Sequence, residues 1–113
     1  KELEFPLAPN GIIGLECALA LYVKALVEPG HIGWMKLIDM MTRKSAEIVK
    51  LNKGTLAEGA DADVSIIDPK LKWTIDKEQF VSRSRNCPFY GWEVTGRATH
   101  TIVGGEVKWQ LSR

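Results

Sequence analysis

The sequence predicts an α+β chain, with helices first and strands second, on three observations. Between Leu15 and Leu51 apolar residues recur at helical spacing. After Asn52 the pattern changes to short β-branched and aromatic runs punctuated by Gly, Asp and Pro. Near the end, Gly104-Gly105 separates two runs that read as the arms of a hairpin. This order favours a helical part and a strand part that pack separately.

The elements follow in order. Pro9 biases Ala8 towards extended geometry, and Asn10-Gly11 tolerates positive φ, so a tight turn precedes the first helix. That helix runs from Leu15 to Val27, with Leu15, Ala18, Leu19, Tyr22, Val23 and Leu26 on one wide apolar face. Pro29-Gly30 stops it. A second helix covers Trp34 to Met41 and buries Leu37, Ile38 and Met41, with Gly33 a modest N-cap. Ser45 caps a third, short helix whose apolar positions are Ala46, Ile48, Val49 and Leu51. Val64–Ile67 is a short strand closed by Asp68-Pro69, and the alternation around Trp73 and Ile75 is a second. Val81 to Trp92 is a long irregular connection containing Pro88 and Gly91. Residues 97–103 and 106–109 form the hairpin. Three amphipathic helices and four short strands leave more apolar surface than they can cover among themselves, which calls for an additional covering partner.

Bulk properties exclude more than they assign. The 113 residues fit one domain or part of a larger one, and Lys1 is no start methionine, so we read a piece of a longer chain. A formal net charge of +1 supplies no electrostatic reason to expect nucleic acid or an anionic membrane as partner. No apolar run reaches the roughly 20 residues that span a bilayer; Gly11 to Leu26 comes nearest, and Glu16 and Lys24 interrupt it. Cys17 and Cys87 have no spacing that implies a bridge, which favours a reduced, cytoplasmic setting.

Self-contained catalysis finds no support. His31 and His100 share no metal-motif spacing with each other or with the cysteines. Asp61 and Asp63 are better read as turn formers than as a calcium loop, with Asp63 accepting backbone donors beside the strand. Ser45, Ser82 and Ser84 lack a histidine and a glycine elbow. Arg83 and Arg85 flank Ser84 in a solvated loop. Gly11-x-x-Gly14 is too short for a phosphate fingerprint. The loop before the first helix keeps two readings. It is an ordinary connection, the commoner case, or it brings main-chain groups close to a small polar ligand because glycine permits the approach.

Four stretches together resemble the dihydroorotases, zinc-dependent cyclic amidohydrolases. They are Ala8-Pro9-Asn10-Gly11-Ile12-Ile13-Gly14-Leu15-Glu16; Gly54-Thr55-Leu56 with Gly59-Ala60-Asp61-Ala62-Asp63 and Asp68-Pro69; Ser82-Arg83-Ser84-Arg85-Asn86-Cys87-Pro88-Phe89 with Gly91; and Thr101-Ile102-Val103-Gly104-Gly105-Glu106-Val107 after Gly96. The family's M-T-x-N-P-A is Met41-Thr42-Arg43-Lys44-Ser45-Ala46 here, without its proline. Asn10 before Gly11 is also similar to hydantoinases and dihydropyrimidinases.

The resemblance implies that residues 1–52 are the final loop and helices of a (β/α)8 barrel. It makes residues 53–113 the C-terminal part of a small β-sandwich. It implies that zinc is held by ligands upstream of Lys1 and none by this segment, and that no residue here is catalytic. It carries main-chain substrate binding onto Asn10 and Gly11. The expected partners are the rest of the barrel, a cyclic amide substrate and further copies of the chain, with aspartate carbamoyltransferase also to be considered. A hydantoinase, dihydropyrimidinase or allantoinase relative, and a non-catalytic assembly partner, are the alternatives.

Overall fold

The computed structural model describes residues 11–112. The helical span 15–27 changes its hydrogen bonding twice: a 3-10 turn at Leu15–Cys17, α-helix α1 at Ala18–Tyr22, and a π-helical stretch at Val23–Val27. It ends in a Schellman motif. The Gly30 amide donates to the Val27 carbonyl (3.0 Å) and the His31 amide to that of Leu26 (3.0 Å), satisfying carbonyls that a helix end leaves unpaired. Helix α2 occupies Trp34–Met41 behind Gly33, which supplies no side-chain cap. Helix α3 is Arg43–Ile48.

Three strands form one antiparallel sheet in the order β1-β2-β3: Val64–Thr74, Glu93–Val103 and Glu106–Gln110. Both glycines of the connecting turn have positive φ, +58° and +81°, as a two-residue hairpin turn matched to strand twist requires.

Several expectations are corrected. Ser45 does not cap α3; it lies inside the helix, where its hydroxyl donates to the Met40 carbonyl (2.5 Å), and Thr42 precedes the helix without a side-chain cap. The two strands expected on either side of Asp68-Pro69 are one strand with a bulge. Asp68 pairs with Arg97 and Lys72 with Thr95, so Pro69, Lys70 and Leu71 stand opposite Gly96 alone. Proline has no amide for the ladder, and the Asp68 carboxylate takes the Lys70 amide instead (2.9 Å). Beyond the bulge the ladder resumes.

The helical and strand parts do not pack separately. Cys17 and Ala20 from the helical span meet Ile75, Cys87 and Val94 in one buried cluster, flanked by Ile13, Leu21, Trp73, Phe80 and Phe89. The buried stripe of the first helix is therefore Cys17, Ala20 and Val23, three residues apart, and Leu15 stays 91% exposed. Leu37 and Ala46 are buried as expected, whereas Met41, Ile48, Val49 and Leu51 are exposed.

Much apolar surface is left open. The radius of gyration is 16.2 Å, where a compact domain of this length has about 13 Å. The accessible surface is 8686 Å², against about 6,200 Å² for a folded monomer of this mass.

Candidate functional site

Asn10 and the residues before it lie outside the described residues, so the loop is visible from Gly11 onward. Gly11 is exposed with φ +68°, a conformation L side chains rarely adopt, and leads into Ile13, Gly14 and the 3-10 turn. The loop is held from one side by the irregular connection after Phe80. The Asn86 side-chain amide donates to the Gly11 carbonyl, and the Ile13 amide donates to the Asn86 carbonyl (3.0 Å). Glu16 completes the junction: its carboxylate accepts the amides of Val81 (2.9 Å) and Ser82 (3.2 Å). A carboxylate has only acceptors, so two converging N–H groups suit it.

The connection has its own internal scaffold. The Ser84 amide donates to the Ser82 hydroxyl (3.3 Å) and the Asn86 amide to the Ser84 hydroxyl (3.4 Å). Arg85 reaches back to the carbonyls of Ser82 and Ser84 and lies 3.5 Å from the Glu78 carboxylate. Under the junction sit Cys17 and Cys87, both free thiols. The Cys17 thiol donates to the Gly14 carbonyl (3.4 Å). Burial, followed by the neighbouring Cys87, pushes the Cys17 thiol above its usual pKa, so it is a packing residue rather than a nucleophile.

The other sequence candidates lie elsewhere. Lys53 bridges Asp61 (2.5 Å) and Asp63 (2.7 Å), and Asp63 also accepts the Gly104 amide (2.9 Å). The hydrogen bond from Lys53, then the one from Gly104, holds the Asp63 carboxyl below its usual range. Asp63 thus fastens the strand to the hairpin turn, as its position beside the strand implies. His100 Nδ1 lies 2.9 Å from the Thr99 hydroxyl, and His31 follows the helix stop in an exposed position. An apolar cleft of about 680 Å³ lies between α2–α3 and the loop beneath them, with Ile38, Met41, Ala46 and Leu51 on its wall.

Among the described residues no three His, Cys, Asp or Glu side chains are grouped to hold a metal, and none fits the zinc that the resemblance implies. The glycine loop is readable from its residues, and its clasp is not. Glu16 and Asn86 belong to separate stretches, 8–16 and 82–89, and nothing in their spacing shows that these meet.

Among the described residues no helix is long and apolar enough to cross a membrane. A profile of the amidohydrolase family matches residues 7–108. The dihydroorotase of Geobacter metallireducens is 49% identical over 107 residues, covering 95% of this chain and 25% of that protein. That of Syntrophotalea carbinolica is 49% identical over 112 residues, covering 99% and 26%. The chain spans about a quarter of the length of these relatives. Among solved structures, a D-hydantoinase from Thermus sp. superposes with TM-score 0.82 at 30% identity, covering 94% of this chain and 24% of that one. An L-hydantoinase from Arthrobacter aurescens gives TM-score 0.82 at 35% identity, covering 91% and 23%. Since the family profile takes in nearly the whole chain, and the glycine loop and its clasp lie within it, the chain belongs to the amidohydrolase family.

Proposed function

We propose that this chain is the C-terminal segment of a zinc-dependent dihydroorotase, which hydrolyses dihydroorotate reversibly to N-carbamoyl-aspartate in pyrimidine biosynthesis. The observation that carries this reading is the 49% identity to a dihydroorotase over 107 residues. In this reading residues 1–52 are the last loop and helices of the (β/α)8 barrel and residues 53–113 the end of a β-sandwich. The open apolar surface is consistent with that, because the rest of the protein would cover it. The zinc ligands lie elsewhere in the protein, and no step of the hydrolysis is assigned to the described residues. The protein works in the cytoplasm, assembled with further copies of itself.

This segment's own share is the substrate loop. Asn10 and Gly11 offer main-chain groups to the cyclic amide ring. Active sites of such barrels lie on loops that follow strands, and Gly11 allows close approach of the backbone. Gly11→Val in the intact protein is expected to raise KM or lower kcat for dihydroorotate with metal content unchanged. Unaltered kinetics would remove the loop from the substrate site.

The structural likeness to two hydantoinases favours a second reading, hydrolysis of a hydantoin or dihydropyrimidine. Assays of the intact protein with dihydroorotate, hydantoin and allantoin separate them. Turnover of hydantoin without dihydroorotate would overturn the first reading.

A further inference from the structure

The geometry points to Asn86 as a positioning residue that aims the Gly11–Ile12 peptide at the substrate's ring. The inference rests on the reading of the glycine loop as part of the substrate site. Asn86 grips the loop at two places, by its side-chain amide on the Gly11 carbonyl and by its own carbonyl on the Ile13 amide (3.0 Å). A carbonyl only accepts, so the Asn86 NH2 group must face Gly11.

The consequence follows from peptide planarity. The Gly11 carbonyl and the Ile12 N–H share one rigid plane and point in opposite directions. Drawing the carbonyl onto Asn86 turns the N–H to the other side of the loop. Gly11, at φ +68°, belongs to the residue type least able to fix that orientation by its own sterics. The brace supplies what glycine lacks. With the carbonyl engaged, this peptide meets a ligand as a donor, so it selects a ring carbonyl oxygen rather than a ring N–H.

Asn86 is itself on a firm base. Its amide is bonded to the Ser84 hydroxyl (3.4 Å), the next residue is the buried Cys87, and Glu16 ties the start of the same connection to the helical span. Asn86 touches no reacting atom in this scheme. It acts through Gly11.

The test uses Asn86→Asp, which keeps the shape and sets an oxygen against the Gly11 carbonyl, and Asn86→Leu, both in the intact protein. KM for dihydroorotate should rise roughly tenfold, the equivalent of one lost hydrogen bond, while kcat and metal content hold. The Ile12 and Ile13 amides should exchange faster with solvent. In the unsubstituted protein, saturation with an equilibrated mixture of dihydroorotate and N-carbamoyl-aspartate should slow exchange at Ile12. Faster exchange in the variants with KM unchanged would overturn the proposal, as would a fall in kcat accompanied by metal loss. No added protection of Ile12 in the unsubstituted protein would overturn it even if neither variant folds. An intact protein that ignores dihydroorotate but turns over hydantoin sinks the dihydroorotase reading alone, and the same KM comparison is then made with hydantoin.

Discussion

Replacing Gly54 by alanine separates two costs that are usually mixed. Gly54 has φ +85°, and a Cβ placed there would lie 2.8 Å from both Cα and N of Arg43 and 3.0 Å from the carbonyl carbon of Thr42. All three are backbone atoms at the break between α2 and α3, so no side chain can turn away to make room. The left-handed conformation costs an L residue about 1–2 kcal/mol, and forcing backbone apart adds about 1–3 kcal/mol. Gly59 is the control: its φ is +82°, and nothing lies within 4 Å of the point a Cβ would occupy. Gly59→Ala therefore bears the conformational cost alone. The gain from a stiffer unfolded chain is common to both substitutions and cancels in the comparison. Urea unfolding of the intact protein should show Gly54→Ala less stable than Gly59→Ala by about 1–3 kcal/mol. Equal midpoints would refute the claim that the loop is wedged against the helix junction.

Acid should loosen the hairpin turn, where the Asp63 carboxylate holds the Gly104 amide. Asp63 has its folded pKa depressed by Lys53 and Gly104, so its contribution is present above the unfolded carboxyl value, about 3.9, and is lost as pH falls through the lower folded value. Protection of the Gly104 amide relative to its unfolded-chain exchange rate, followed from neutral to acid pH, checks this, and Asp63→Asn should abolish the pH dependence of that protection. Glu16→Ala should destabilise the junction by about 1–2 kcal/mol, because two backbone donors lose a charged acceptor. The Val81 and Ser82 amides should then exchange faster, and unchanged exchange there would contradict the bonding described. Native Cys17 should resist iodoacetamide, since it is buried and its thiolate is disfavoured; rapid alkylation without unfolding would contradict its place in the core.

Local chemistry made some elements readable and hid others. Helix α2 was legible from end to end, because Trp34 to Met41 has a clean apolar period and a glycine before it. The hairpin was legible because Gly104-Gly105, set between two strand-like runs, can take the positive φ that a two-residue turn needs at both positions. The continuation of β1 past Pro69 was not. A proline ordinarily ends a strand, and only the opposite strand shows that three residues bulge around Gly96. That helical apolar surface would stay open was legible from the number of apolar faces against so few strands. That Ile48, Val49 and Leu51 carry it was not, since periodicity marks an apolar face without saying whether anything lies against it. At the site, Gly11 was visible as a residue of unusual conformational range. The grip of Asn86 and Glu16 was invisible, being a contact between segments far apart in the chain.

The cluster joining Cys17 and Ala20 to Ile75, Cys87 and Val94 constrains how this chain could be recombined with its relatives. A hybrid that takes residues 53–113 from one protein and the preceding helices from another inherits half an interior from each parent. Small side chains on one half must then meet the bulk they were sized for on the other. Grafts that carry both halves from a single donor should be tolerated best, and hybrids joined at residue 52 should recover as Cys17, Ala20, Ile75 and Val94 are restored to a matched set.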